Sequence, residues 1–128
     1  MPVHSTTLAV LRDGGLAGFV SWIAVLHGPQ YPCLAWMIGI ALQPQHRGHG
    51  VGSVAQRLLA EHLFLSTDLD RVEAEVDVDN VAERRALDRA GFTEEGMVRG
   101  AQLRGGQRRD LVRFAILRAD RETAALLS

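Results

Sequence analysis

Three strand-like runs fill the first third of the chain before any helical period appears, and that order limits the fold more than any other feature. Thr6 to Arg12 and Leu16 to Leu26 flank Asp13-Gly14-Gly15. Aspartate and glycine tolerate positive φ, so the trio predicts a hairpin turn. After the loop HGPQYP, Leu34 to Leu42 is nearly continuous in apolar residues, which predicts a strand covered on both faces. Only past Gly48, Gly50 and Gly52 does the period lengthen. Val51, Val54, Ala55, Leu58, Leu59, His62 and Leu63 then follow the i, i+3, i+4, i+7 rule, with Ser53, Gln56, Arg57 and Glu61 on the opposite face.

The second half alternates again. Val72, Ala74, Val76 and Val78 point one way along a short strand, and Glu73, Glu75 and Asp77 point the other. Asn80 with Glu83 three residues on has the spacing of a capping box, and Gly91 is placed to end that helix. Strands over Glu95 to Arg104 and Gln107 to Leu117 flank Gly105-Gly106, and the tail from Ala119 predicts a short helix. The order is β-β-β-α-β-α-β-β. This is an α/β chain of the α+β type, with a mixed, mostly antiparallel sheet under helical cover.

At 128 residues the expectation is one domain, spanning 1–128, and with 47% hydrophobic residues disorder of the whole is excluded. A net charge of −1 gives no basic field for nucleic acid or an anionic membrane. No apolar run reaches transmembrane length and no secretory leader is evident, so the expected compartment is the cytoplasm. Cys33 is the only cysteine, which leaves no internal disulfide and no cysteine-based zinc site; a small buried hydrophobe is its simplest role. His46 and His49 have no carboxylate or thiol nearby in sequence, so no metal is expected.

The stretch QPQHRGHGVGS, from Gln43 to Ser53, joins a strand to a helix through glycines. First-turn amides of a helix lack internal partners, the helix dipole adds partial positive charge, and glycines let backbone approach a phosphate. Arg47 adds a full charge with bidentate reach. Pyrophosphate is the expected ligand. All fourteen basic residues are arginine, which excludes a Walker A loop. A dinucleotide fingerprint fails because its third glycine position is Ser53 or Ala55, although Asp68 and Asp70 lie at a suitable distance for a ribose contact. A purely structural glycine loop is the plainer alternative.

Here the residues resemble a family. Arg47-Gly48-His49-Gly50-Val51-Gly52 is similar to the R-x-x-G-x-G/A motif of the GCN5-related N-acetyltransferases (GNAT), where loop and helix start hold the pyrophosphate of acetyl-CoA. MIGIALQP resembles that family's fourth strand, which implies that Ile40 and Leu42 lie beside the pantetheine arm. Val72 to Asn80 resembles its fifth strand and following asparagine, and Leu87 to Phe92 its L-x-x-x-G-F. EEGMVRG, from Glu94 to Gly100, looks most like the branch of ribosomal-protein N-terminal acetyltransferases. The resemblance implies a cofactor site of Ile40, Leu42, Arg47, Gly48, His49, Gly50, Val51, Gly52, Ser53 and Asn80, with acetyl-CoA as donor and no metal. It also implies a bulge in the fourth strand, with a backbone donor for the thioester oxygen near Leu42. The family normally starts with a further strand and a helix pair that wall the acceptor site. Here the hairpin comes almost at Met1, so the domain reads as shortened at its N-terminus, and uncovered sheet would favour a homo-oligomer, such as a homodimer.

Direct acetyl transfer to a primary amine needs a base or a water relay. The resemblance implies Glu75 as the candidate base, since it lies five residues before Asn80, where some N-terminal acetyltransferases of that family carry a glutamate base; the plain alternative is that Glu73, Glu75 and Asp77 form a solvated strand face. Either arrangement predicts an acidic surface attractive to a cationic amine, whether a small molecule or a protein N-terminus. Two groups common in the family are replaced: Leu87 stands where a tyrosine acid is usual, and Met37 where the nearest branch often carries glutamate. Tyr31 is a candidate substitute acid or a loop anchor. These replacements motivate the alternative of a CoA-binding sensor or assembly module that has lost catalysis.

Overall fold

The computed structural model describes residues 6–121. Eight principal elements run in the order expected: β1 (Thr6–Arg12), β2 (Gly15–Leu26), β3 (Leu34–Leu42), α1 (Val51–Ser66), β4 (Arg71–Asp77), α2 (Val81–Arg89), β5 (Thr93–Arg104) and β6 (Gln107–Leu117). Short 3-10 turns at Tyr31–Cys33 and Pro44–His46 shape the loops on either side of β3. Residues 118–121 begin a helical turn; the rest of the predicted tail helix lies outside the described residues.

The strands form one sheet in the order β1-β2-β3-β4-β6-β5. Every neighbouring pair is antiparallel except β3 and β4. The first hairpin turns through Asp13 and Gly14, both at positive φ (52° and 79°), as its composition predicts. Gly91, at φ 97°, ends α2, and the next amide, Phe92 N–H, donates to Leu87 O at 3.0 Å.

Both helices pack on one face of the sheet. Leu59, Leu63 and Phe64 of α1 and Leu87 of α2 meet Val20, Ile38, Val72, Ala74, Val76, Val112 and Phe114. Fully burying a side chain of this size contributes about 1.5–3 kcal/mol. The opposite sheet face is open in part: Phe19 and Ile23 are 47% and 43% exposed. Coverage of both faces of β3, expected from its apolar run, is therefore only partial.

The face that α1 buries differs from the one its apolar residues predict. Val54 and Leu58 are exposed, whereas Gln56, assigned to the solvent side, is buried. The reason is polar satisfaction: Gln56 Nε2 donates to Gly52 O at 3.0 Å and to Glu83 Oε1 at 2.8 Å. A buried amide with two partners costs little, and it ties α1 to α2.

β3 and β4 pair over only two positions, Trp36 with Val72 and Met37 with Glu73. Beyond them the strands share no ladder, so a V-shaped gap opens toward their carboxyl ends, where α1 and α2 begin. A break in a sheet beside two helix starts is where ligands of α/β proteins collect.

Candidate active site

The glycine stretch sits at the wide end of that V. Gly48 and Gly50 both have φ 78°, a left-handed conformation that favours glycine. A Cβ at either would meet nothing within 4 Å, so open space lies in front of this backbone. Gly50 is the N-cap of α1 and has no side chain to cap it. The amides of Val51, Gly52 and Ser53 are therefore left for an incoming acceptor, at the positive end of a 16-residue helix. Arg47 is exposed beside them and steadied by its Nε, which donates to Leu42 O at 3.1 Å.

A cavity of about 650 Å³ opens here. Eight of the ten residues implied for the cofactor line it: Ile40, Leu42, Arg47, Gly48, Gly50, Gly52, Ser53 and Asn80. The side chains of His49 and Val51 are not in its wall. The expected bulge in β3 is not seen, since the β2–β3 register runs unbroken from Gly18–Leu42 to Leu26–Leu34. The two backbones do come very close at that end, where a Cβ on Gly18 would lie 2.0 Å from Ala41 O.

The wall contributed by α2 was not anticipated. Ala82, Arg85, Ala86 and Arg89 face the cavity, together with Glu83. Their i, i+3, i+4, i+7 spacing was a signal present in the sequence, with two alanines leaving room and two arginines supplying charge. Arg47, Arg85 and Arg89 converge on one cavity with the uncapped amides, a donor set suited to a polyphosphate. Glu83 is the one acid in the wall, and burial raises its pKa above the ordinary carboxylate value, with the Gln56 hydrogen bond opposing. The capping box forms by half. Asn80 Oδ1 accepts from Glu83 N–H at 3.2 Å, but the Glu83 side chain turns inward to Gln56, and Asn80 N–H donates to Asp77 O instead.

The acidic strand face is neither bare nor solvated. Glu73 is buried, with His27 Nε2 and Arg71 Nε both on its Oε2. Glu75 faces Arg113 at 3.5 Å, and Asp77 pairs with Arg104 and Arg109. Arg109 also reaches Asp79. Arg71 continues to Glu95, and that hydrogen bond first, then Glu73, raises its pKa above the usual guanidinium value. The predicted attraction of a bare acidic surface is thus offset by arginines. Glu75 lies outside the cavity wall, on the open sheet face.

The remaining candidates settle outside the cavity. Tyr31 donates to Asp68 at 2.9 Å, a bond that raises the phenol's pKa, and it anchors its loop. Asp70 pairs with Arg118, so neither aspartate faces a ribose position. Leu87 is fully buried as a core residue, and Cys33 is half-buried. Among the described residues no group of three or more His, Cys, Asp or Glu could hold a metal.

Residues 2–93 match the family model of the acetyltransferase (GNAT) domain. The chain belongs to this family. The six-stranded mixed sheet and its two flanking helices fit that assignment, and solved GNAT structures share it. RimL, described as a ribosomal L7/L12 alpha-N-protein acetyltransferase and solved with coenzyme A, is 26% identical; the match covers 88% of this chain and 62% of RimL, with a TM-score of 0.77. RimJ of Mycobacterium smegmatis, solved with a CoA disulfide, is 27% identical over 94% of this chain and 60% of RimJ, with a TM-score of 0.78. YjcK of Bacillus subtilis, named a probable N-acetyltransferase, is 34% identical over 110 residues, or 86% of this chain. The chain spans about three fifths of the length of such relatives, 59% for YjcK. Among the described residues no helix is long and apolar enough to cross a membrane.

Proposed function

We propose that the chain carries the donor half of an acetyl-CoA-dependent N-acetyltransferase that draws on the cytoplasmic acetyl-CoA pool and acetylates a primary amine by direct attack. The observation that carries this reading is the uncapped start of α1 and three arginines on one cavity at the mouth of the β3–β4 gap. The amides of Val51 to Ser53 and Arg47 would hold the pyrophosphate, Arg85 and Arg89 would meet remaining phosphate charge, and Ile40 and Leu42 would border the pantetheine arm. Acetyl-CoA supplies an activated thioester. The chain's own residues must orient it, exclude competing water and take a proton from the amine.

Relatives solved with coenzyme A support the donor, and the description of RimL as an alpha-N-protein acetyltransferase supports an amine acceptor. Two groups on the open sheet face can take the amine's proton: Glu75, and His27 where it leans on Glu73. Calorimetry with acetyl-CoA, then thiol release across a panel of protein N-termini, polyamines and amino acids, tests the proposal. Micromolar binding with turnover on one amine class is the expected result. No binding at millimolar acetyl-CoA would overturn it, and binding without turnover on any amine would leave a CoA-binding module.

A further inference from the structure

The closed end of the V carries a second charged constellation. Met37 and Glu73 are register partners at the last ladder position before β3 and β4 part. From there to Leu42 is five residues, or about 17 Å of strand, so an arm anchored at the wide end runs toward this apex. Glu73 is 1% exposed and cannot itself reach an incoming amine. His27 can. Its ring follows β2, where its backbone N–H donates to Cys33 O at 2.9 Å, and its side chain is 43% exposed. Nε2 is engaged by Glu73, and no hydrogen bond reaches Nδ1 among the described residues.

We propose that His27 is the proton acceptor for acetyl transfer and that Glu73 is its positioning residue, an inference that rests on the acetyl-transfer reading above. Glu73 holds the tautomer with hydrogen on Nε2, which leaves the Nδ1 lone pair without a hydrogen-bond partner among the described residues on a part-exposed ring. This is the logic of an imidazole oriented by a buried carboxylate, with the two ring nitrogens exchanged relative to a serine-protease triad. The amine nitrogen attacks the thioester carbonyl carbon, forming the C–N bond. The nitrogen's proton passes to Nδ1, the C–S bond breaks, and the CoA thiolate leaves with its electron pair to be protonated by solvent. His27 then returns its proton to solvent. The charged neighbours of the ring are Glu73 of β4 and Glu95 of β5, with Arg71 bonded to both carboxylates and Arg113 of β6 also acting on Glu95, and the Cys33 thiol lies in its own connection.

The test is His27→Ala and Glu73→Gln on the full chain, with an acetyl-CoA titration alongside kinetics on the best amine. His27→Ala should bind acetyl-CoA within about twofold of wild type while kcat/KM falls roughly a hundredfold, the lower range for a general base. Added imidazole should restore part of the rate, and the acid limb of the pH profile should vanish without it. Glu73→Gln should shift that limb. If His27→Ala keeps kcat/KM within about threefold and an unchanged pH profile, the assignment is wrong. If wild type binds acetyl-CoA but acetylates no amine, the transfer reading falls and this role falls with it.

Discussion

Gln56 of α1 donates a 2.8 Å hydrogen bond to Glu83 of α2, and so joins the two helices whose first turns frame the arginine-lined cavity. The bond places a carboxylate in a wall otherwise built for anions. Burial raises the Glu83 pKa above its 4.5 reference value. A carboxyl whose folded pKa is raised binds its proton more readily in the folded state. Its stabilising contribution is complete below the unfolded value and is lost as pH rises through the folded one. Glu83→Gln keeps an acceptor for Gln56 and removes that loss. The variant should be more stable than wild type at pH 7, with the difference shrinking as pH falls toward about 4.5 and little of it left below, as read from urea melts across pH. It should also bind acetyl-CoA more tightly by about 1 kcal/mol, as expected for removing one nearby like charge.

Arg47 is the one cavity cation contributed by the glycine loop itself. Its Nε is engaged by Leu42 O, which leaves the outer guanidinium nitrogens for phosphate. Arg47→Ala should weaken acetyl-CoA binding by about 1.5–3 kcal/mol, the range for a charged hydrogen bond. Folding stability should change little, because the side chain is exposed. Calorimetry paired with denaturant melts separates the two effects; unchanged affinity would contradict the pyrophosphate cradle.

The strand order, the turns and the uncapped glycine start of α1 were legible because each has a local cause: period two, positive φ at Asp13-Gly14, and glycine in place of a capping side chain. What stayed hidden depends on register between distant segments. Glu73 looks solvent-facing in an alternating strand, and only the 46-residue separation closed by folding brings His27 onto it. Gln56 looks polar and outward until Glu83 gives it a buried partner. The α2 stripe of Ala82, Arg85, Ala86 and Arg89 was readable in principle, but a charged helix face is ordinarily a solvated one, and only the cavity distinguishes it.

Gly18 fixes how closely β2 approaches β3. A Cβ there would stand 2.0 Å from the Ala41 carbonyl oxygen and 2.8 Å from Leu42 Cα, both backbone atoms of β3. Neither can move without shifting the strand. Gly18→Ala should therefore destabilise the fold by about 1–3 kcal/mol, as overpacking does. It should also weaken acetyl-CoA binding, because Ile40 and Leu42 move with the strand. A parallel Gly14→Ala change, at an exposed turn where an added Cβ meets nothing within 4 Å, should spare binding while costing some stability through its positive φ.

Glu75 and His27 make opposite claims on the same proton, and their geometry separates them. Glu75 stands on the open face of β4 with Arg113 at 3.5 Å, two residues along from Glu73, whereas His27 leans on Glu73 with Nδ1 free of any hydrogen bond among the described residues. If the proton goes to His27, Glu75→Gln removes one partly exposed ion pair and little else. Such a pair contributes about 0–1 kcal/mol, so the melt should shift slightly. The kcat should stay within about threefold of wild type. KM for a cationic amine should rise modestly, because one negative charge on the open sheet face is gone. A loss of kcat approaching a hundredfold in Glu75→Gln, with the acid limb of the pH profile abolished and His27→Ala unaffected, would move the base to Glu75 and leave the His27–Glu73 contact a structural one.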